Sequence, residues 1–266
     1  MKTNKNIKKI IVHSGQFHLD DIVCVALCRL MNPECEIERN NKPDHTNTGP
    51  ETGIVVADVG MIHDPDKWLF DHHQDKYTPD SDPKTVRAAC GRVWDYFGDA
   101  DAYPALTAYI RAVDLHDTGV KWTSLGVLGS FAPQWNDDFT MEEGFERALN
   151  HVMELIKAIA HRDEAELAAY DAVAACPVEN GVIVMEKYLP WHRYVAYHEE
   201  IKAVVFPGRD PDTWTIGVPK GKVFPEAWLD SKPDGLVFMP AWRTMAVVDS
   251  IEKAKELVEF LEEESV

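Results

Sequence analysis

Histidines and aspartates recur at the ends of short apolar runs in the first half of this chain, and that pairing is the chemistry of a metal site. Ile10–Val12 leads into His13, and a loop of the form His-x4-His-x-Asp then brings His18 and Asp20. Ile54–Ala57 leads into Asp58, and Trp68–Phe70 leads into Asp71-His72-His73. Carboxylate oxygens mixed with imidazole nitrogens suit Mn²⁺, Fe²⁺, Co²⁺ or Zn²⁺ better than Ca²⁺. One Asp-His-His triplet or one His-x4-His pair carries little weight, because His beside Asp is common in exposed loops. Three such clusters, each behind an apolar run, carry more, since ligands of open α/β sheets bind beyond the carboxyl ends of the strands. So many donors suggest two ions sharing a carboxylate, and hence metal-assisted hydrolysis.

The elements that must position them alternate. Ile10–Val12, Ile54–Ala57 and Trp68–Phe70 read as strands. Asp20–Met31 reads as a helix, with two carboxylates at its positive end and Pro33 beyond it. Thr85–Phe97 and Ala105–Val113 read as helices, the second carrying Asp114 near its end. This alternation predicts a mostly parallel sheet with helices on both faces. Met141–Ala175 reads as a long helix interrupted near His161-Arg162-Asp163. Pro177 and Asn180-Gly181 then punctuate the chain, which predicts domains at 1–175 and 176–266. The second carries strands at Val182–Met185, Ala203–Phe206, Trp214–Val218 and Leu236–Met239. Asp249 or Ser250 caps a last helix, Ile251–Glu264.

Composition narrows the function. The 266 residues are 45% hydrophobic, enough for a sizeable core. A net charge of −18 argues against loose binding of a polyanion, which rests on Lys and Arg neutralising phosphates. The window 178–243 is nearly neutral, with eight Lys/Arg against nine Asp/Glu, and is where a polyanion would dock. Five cysteines form no C-x-x-C; Cys24 and Cys28, one helical turn apart among apolar residues, read as core thiols of a reduced compartment. No stretch approaches the roughly 20 apolar residues of a membrane span. The apolar run behind basic Met1–Lys9 is too short for a signal peptide. The expected location is cytoplasmic.

His13-x4-His18-x-Asp20, Asp58-Val59-Gly60 and Asp71-His72-His73-Gln74 resemble the motifs of the DHH phosphoesterase superfamily. Within it the chain is most similar to the melanocyte-proliferating-gene family of metal-dependent hydrolases. The likeness continues through Ala112-Val113-Asp114-Leu115-His116-Asp117-Thr118-Gly119 and Ser130–Trp135, and more loosely through Val204–Pro207, Val218-Pro219 and Phe224–Trp228. It implies an α/β fold, a DHH-type mostly parallel sheet flanked by helices. It implies as well a smaller C-terminal α/β domain across a cleft, which would bind substrate. It also implies two divalent ions per chain, with Mn²⁺ expected. His13, His18 and Asp58 would hold one, and Asp20, Asp58, His72 and Asp114 the other, which makes Asp58 the bridge. Three carboxylates against two divalent ions leave a net charge of +1, suited to attracting phosphate.

In the resemblance His73 faces the substrate; orienting His72 from behind is the alternative role. Asp71 and Asp117 read as acceptors for imidazole N–H groups, Asp21 as helix-terminal, and His45, His63 and His116 as surface or packing residues. Candidates for contacting substrate from the second domain are His192, Arg193, Arg209 and Arg243. Relatives carry a glycine-containing stretch before the last helix, but Met239–Val248 has no glycine, and Ala246 and Val247 fall where a pair would stand. The implied activity is phosphodiester hydrolysis, with 3′→5′ exonuclease action on RNA as its specific form. Phosphoanhydride hydrolysis, as of pyrophosphate or polyphosphate, fits the same metals, and a non-catalytic metal-binding protein is a third reading. The expected partner is a small phosphodiester or short oligonucleotide, with no membrane; a homodimer is left open.

Overall fold

Runs such as Lys9-Ile-Ile-Val12 and Ile54-Val-Val-Ala57 have no polar alternation, the pattern of parallel strands covered on both faces. The computed structural model describes residues 6–264, without the side chains of 126–129. Of the basic segment Met1–Lys9, the first five residues lie outside it. The chain divides into two compact units, Met1–Asp163 and Glu164–Val266. Among the described residues no helix is long and apolar enough to cross a membrane.

The first unit runs β1 (Lys9–Val12), α1 (Leu19–Met31), β2 (Glu36–Arg39), β3 (Ile54–Ala57), β4 (His63–Asp64), β5 (Leu69–Phe70), α2 (Ala89–Phe97) and α3 (Pro104–Asp117). Its sheet has the order β2-β1-β3-β5-β4, parallel except for the β4–β5 edge. Helix α1 is apolar nearly all round and buries Ile22 through Cys28, so Cys24 and Cys28 are core residues. Ile10, Val12, Val55 and Ala57 pack with α1, α2 and α3 in one large core. The opposite face carries a small cluster of Ile11, Val56 and Leu69, which among the described residues contains no helix residue. The mostly parallel sheet flanked by helices stands as expected, with α1, α2 and α3 packed in the core on one of its faces.

Helix α4 (Met141–Ala174) runs unbroken through the segment where an interruption was expected. Asp163 there is buried, and its carboxylate accepts from the backbone N–H groups of Ala105 and Leu106 at 3.1 and 3.0 Å. It satisfies the first turn of α3 instead of ending its own helix. The unit boundary falls inside α4 rather than at 175/176. The reason is packing: Ala169 and Val173 of α4 share a core with Ile183, Met185, Trp191 and Val204.

The second unit continues with β6 (Val178–Glu179), β7 (Val182–Val184), α5 (His192–Val195), β8 (Ala203–Pro207), β9 (Trp214–Gly217), β10 (Lys222–Val223), β11 (Leu236–Phe238), β12 (Met245–Val248), α6 (Ile251–Val258) and β13 (Glu262–Glu263). Its main sheet, β11-β12-β9-β8-β7-β6, is antiparallel except between β7 and β8. Ser250 caps α6 by accepting from Lys253 N–H. The helix ends at Val258, short of the expected Glu264, because Glu262–Glu263 pairs with β10.

Candidate metal centre

Each donor of the centre stands where a strand or helix ends. His13 follows β1, and its loop is tied down by Ser14 N–H to Asn41 at 2.8 Å and Arg39 to the Gly15 carbonyl at 2.6 Å. Asp58 follows β3, its N–H extending the ladder to the Phe70 carbonyl at 3.0 Å. There the backbone turns to φ 55°, the left-handed region, where Asp is one of the few residues tolerated. Asp20 lies in the first turn of α1, wholly buried, and accepts from Ala89 and Cys90 N–H at 2.9 and 2.7 Å. One carboxylate thus closes the start of α2 and keeps lone pairs for a further partner.

Three overlapping groups of potential ligand atoms result, each within 4.8 Å: His13, His18 and Asp58; Asp58, His72 and His73; Asp20, His72 and Asp117. His13 Nε2 is 3.5 Å from Asp58 Oδ2 and 3.4 Å from Asp21 Oδ2. His72 Nε2 is 3.1, 3.3 and 3.6 Å from oxygens of Asp117, Asp58 and Asp20. Yet Nε2 of His13, Nε2 of His72, Oδ1 of Asp58 and Oδ2 of Asp21 are buried without a hydrogen-bond partner. Buried polar atoms are normally satisfied. Donors of one ion held at roughly 2.1 Å stand roughly 3–3.5 Å apart, which is the spacing seen. The donor set fits a divalent cation on that observation.

Charge in the protein alone tells the same story. Burial raises the Asp20 carboxyl well above its ordinary value, with Asp58 and Asp117 adding to it, and burial pushes Asp21 up to about 7. The Asp58 carboxylate raises His13 to about 9 against burial. Burial also opposes charge on His72, but Asp117 and Asp58 push it up to about 11. Asp58 is held below the ordinary carboxylate value by His13 and His72, despite its burial. Carboxylates that resist ionising beside imidazoles that attract protons define a site short of positive charge.

Asp114 does not stand with these groups. Its carboxylate accepts from Ala88 N–H at 2.9 Å and pairs with Arg111 at 2.9 Å, and burial pushes it up to about 6. A Cβ on Gly91 would lie 2.2 Å from it, so α2 approaches it through a glycine. Asp117, one turn further along α3, stands where the motif reading put Asp114, which corrects that assignment. Asp21 is helix-terminal as read, accepting from His18 N–H at 2.9 Å, but its second oxygen also faces His13. Asp71 holds His73 rather than His72, with Nδ1 at 2.6 Å, and anchors Met61 N–H at 2.6 Å. Arg92 donates to the Asp71 carbonyl at 2.6 Å and braces the loop. His63 sits exposed beside Phe70, and His45 closes on Gly60.

Residues 9–103 match the model of a family described as MYG1_exonuc, Uncharacterised protein family (UPF0160). The MYG1 protein of Schizosaccharomyces pombe is 23% identical over 230 residues, 70% of this chain and 69% of that protein. The human protein named MYG1 exonuclease is 27% identical over 186 residues, 55% of this chain and 48% of its own length. This chain is similar to MYG1 proteins. Among solved structures, a pGpG-specific phosphodiesterase, PggH, from Vibrio is similar at 13% identity and TM-score 0.34, covering 95% of this chain and 96% of that one. The fold class rests on the strand order above rather than on that likeness.

The second unit sorts its four candidates. His192 stacks on Trp191, rings 3.9 Å apart, and shares with Arg209 the lining of a cavity of about 500 Å³. Arg193 is not among its lining residues. Nor is Arg243, which donates to the Phe224 carbonyl at 2.8 Å and faces Glu262 at 3.7 Å. The glycine-free stretch is the regular strand β12, with Met245 opposite Gly217 of β9. Here the close approach uses Gly217, where a Cβ would lie 2.6 Å from the Trp191 ring. Two features went unread in the sequence: Asp117 as a cluster member, and His116 with Trp122 beside it. Asp114 and Asp117 are spaced i,i+3 on one helix, and spacing alone does not choose between them.

Proposed function

We propose that this protein is a divalent-metal-dependent phosphodiesterase that cleaves short oligonucleotides or small nucleotides. The observation that carries it is that the buried, unpartnered Nε2 atoms of His13 and His72 both face the Asp58 carboxylate, at 3.5 and 3.3 Å, beyond the carboxyl ends of β1, β3 and β5. Similarity to a human protein named MYG1 exonuclease supports the reaction class. We assign two ions, Mn²⁺ by preference. His13, His18 and Asp58 belong to one, and Asp20, Asp58, His72 and Asp117 to the other, with Asp58 shared.

Bound divalent cations supply charge against phosphoryl oxygens and lower the pKa of water. The chain supplies the rest. Asp58, where the backbone turns to φ 55°, faces both His13 and His72 and would serve both sets of donors. Asp71 fixes the His73 ring through Nδ1, which leaves Nε2 for a nonbridging phosphoryl oxygen. His192 and Arg209, in the second unit, are assigned to the remaining substrate charge. A net charge of −18 disfavours a long polyanion, so short substrates are preferred.

The test is hydrolysis of a dinucleotide with added Mn²⁺ by the wild type and by Asp58→Ala. Turnover that requires Mn²⁺ and vanishes in the variant supports the reading. Equal turnover in both, or hydrolysis of pyrophosphate with no cleavage of the dinucleotide to mononucleotide, contradicts it.

A further inference from the structure

A cavity of about 420 Å³ opens beside the cluster, within the roughly 300–1,000 Å³ range of small-molecule sites. His72 and His73 form its polar wall, Phe17 its apolar floor, and His116 and Trp122 its far side. Trp122 is 82% exposed, so its indole contributes little to the core. It stands edge-to-face with His116, centroids 5.6 Å apart and planes at 88°. His116 Nδ1 accepts from Thr123 N–H at 3.1 Å, which places the ring hydrogen of neutral His116 on Nε2. An exposed indole braced by a tautomer-fixed imidazole, next to a centre that binds phosphate, presents a π-face and a donor to one flat heteroaromatic group.

We infer that this cavity is a nucleoside subsite in which the base adjoining the bound phosphate stacks on Trp122, with His116 holding the indole and donating to the nucleoside. The inference rests on the phosphodiesterase reading and extends it to the group recognised beside the phosphate. Stacking on an aromatic side chain tolerates any base, because every base has a π-face. The subsite therefore selects nucleotides over base-free phosphates rather than one base over another.

The experiment is equilibrium dialysis of AMP and of ribose 5-phosphate against the Mn²⁺-loaded full chain, in wild type, Trp122→Ala and Trp122→Phe, with indole fluorescence as a second readout. Trp122 is exposed, so both variants keep the fold. Wild type should bind AMP roughly 5- to 150-fold more tightly than ribose 5-phosphate, the span of one stacked base. Trp122→Ala should erase most of that ratio and the AMP-induced quenching while leaving ribose 5-phosphate binding unchanged, and Trp122→Phe should keep part of the ratio. Equal wild-type binding of the two, or a ratio unchanged in Trp122→Ala, overturns the subsite and leaves phosphate binding at the cluster intact. Binding of neither compound overturns the metal-phosphate reading and the subsite with it.

Discussion

The reactive side chains of the first unit and those of the second are held in different ways. His13, Asp58 and His72 leave the ends of buried, mostly parallel strands, and their neighbours Asp20 and Asp71 are pinned by backbone N–H groups. Nothing about their directions is free, and their donor atoms converge without bonding one another. In the second unit the sheet is mainly antiparallel; Arg209 and Arg243 lie on connections between strands, and His192 and Arg193 on the short helix α5. There Arg243 is consumed by a backbone carbonyl, while His192 and Arg209 line a cavity among aromatic rings. Rigid strand ends specify a reaction centre; loops around an antiparallel sheet specify contacts one at a time.

The largest effect that would break this contrast lies at Asp58. Asp58→Ala should abolish Mn²⁺ uptake at both positions and hydrolysis together, a loss beyond the roughly 10- to 100-fold expected for an outer partner. Equilibrium dialysis with Mn²⁺, run beside the dinucleotide assay, checks it; retention of one tightly bound ion would remove the bridge. Next in size is the pair on α3. Asp117→Asn should weaken Mn²⁺ binding at least tenfold with little change in melting temperature. Asp114→Asn should do the reverse, because its remaining oxygen can serve Ala88 N–H while its amide NH2 faces Arg111, which loses a buried acceptor worth about 1–3 kcal/mol. In a chain of this size that is a fall of roughly 2–4 °C per kcal/mol in thermal melts.

His73→Ala sharpens the boundary between donors and substrate contacts. Turnover should fall roughly 10- to 100-fold while both ions stay bound. Loss of metal as complete as in Asp58→Ala would make His73 a ligand. The smallest effects belong to the second unit: Arg209→Ala and His192→Ala should raise KM a few-fold with kcat nearly unchanged. A large fall in kcat from either would give the second unit a part in the chemistry.

How much of this was legible in the sequence follows the same division. The apolar runs ending in His13, Asp58 and Asp71-His72-His73 gave the strands and the cluster of side chains at their ends, because parallel strands announce themselves as unbroken hydrophobic stretches. Asp20 was legible as a donor but not as the cap of α2, since Ala89 and Cys90 lie some seventy residues away and only the fold brings them together. Asp114 misled because a motif fixes spacing, not which turn of α3 faces His72. Asp163 misled because a charged residue inside a helix is read as exposed unless its buried partner is known. β2 and β12 lack a clear hydrophobic period, and tertiary pairing decided them.

The central claim is that one carboxylate, Asp58, joins two cation positions at the ends of β1, β3 and β5. The most direct measurement is an anomalous difference map from a crystal of the protein soaked in Mn²⁺. Two peaks roughly 3.5–4 Å apart, with the Asp58 carboxylate between them and Asp117 rather than Asp114 at the second, are the predicted result. A single peak, or a pair in which Asp58 touches only one, would contradict the account.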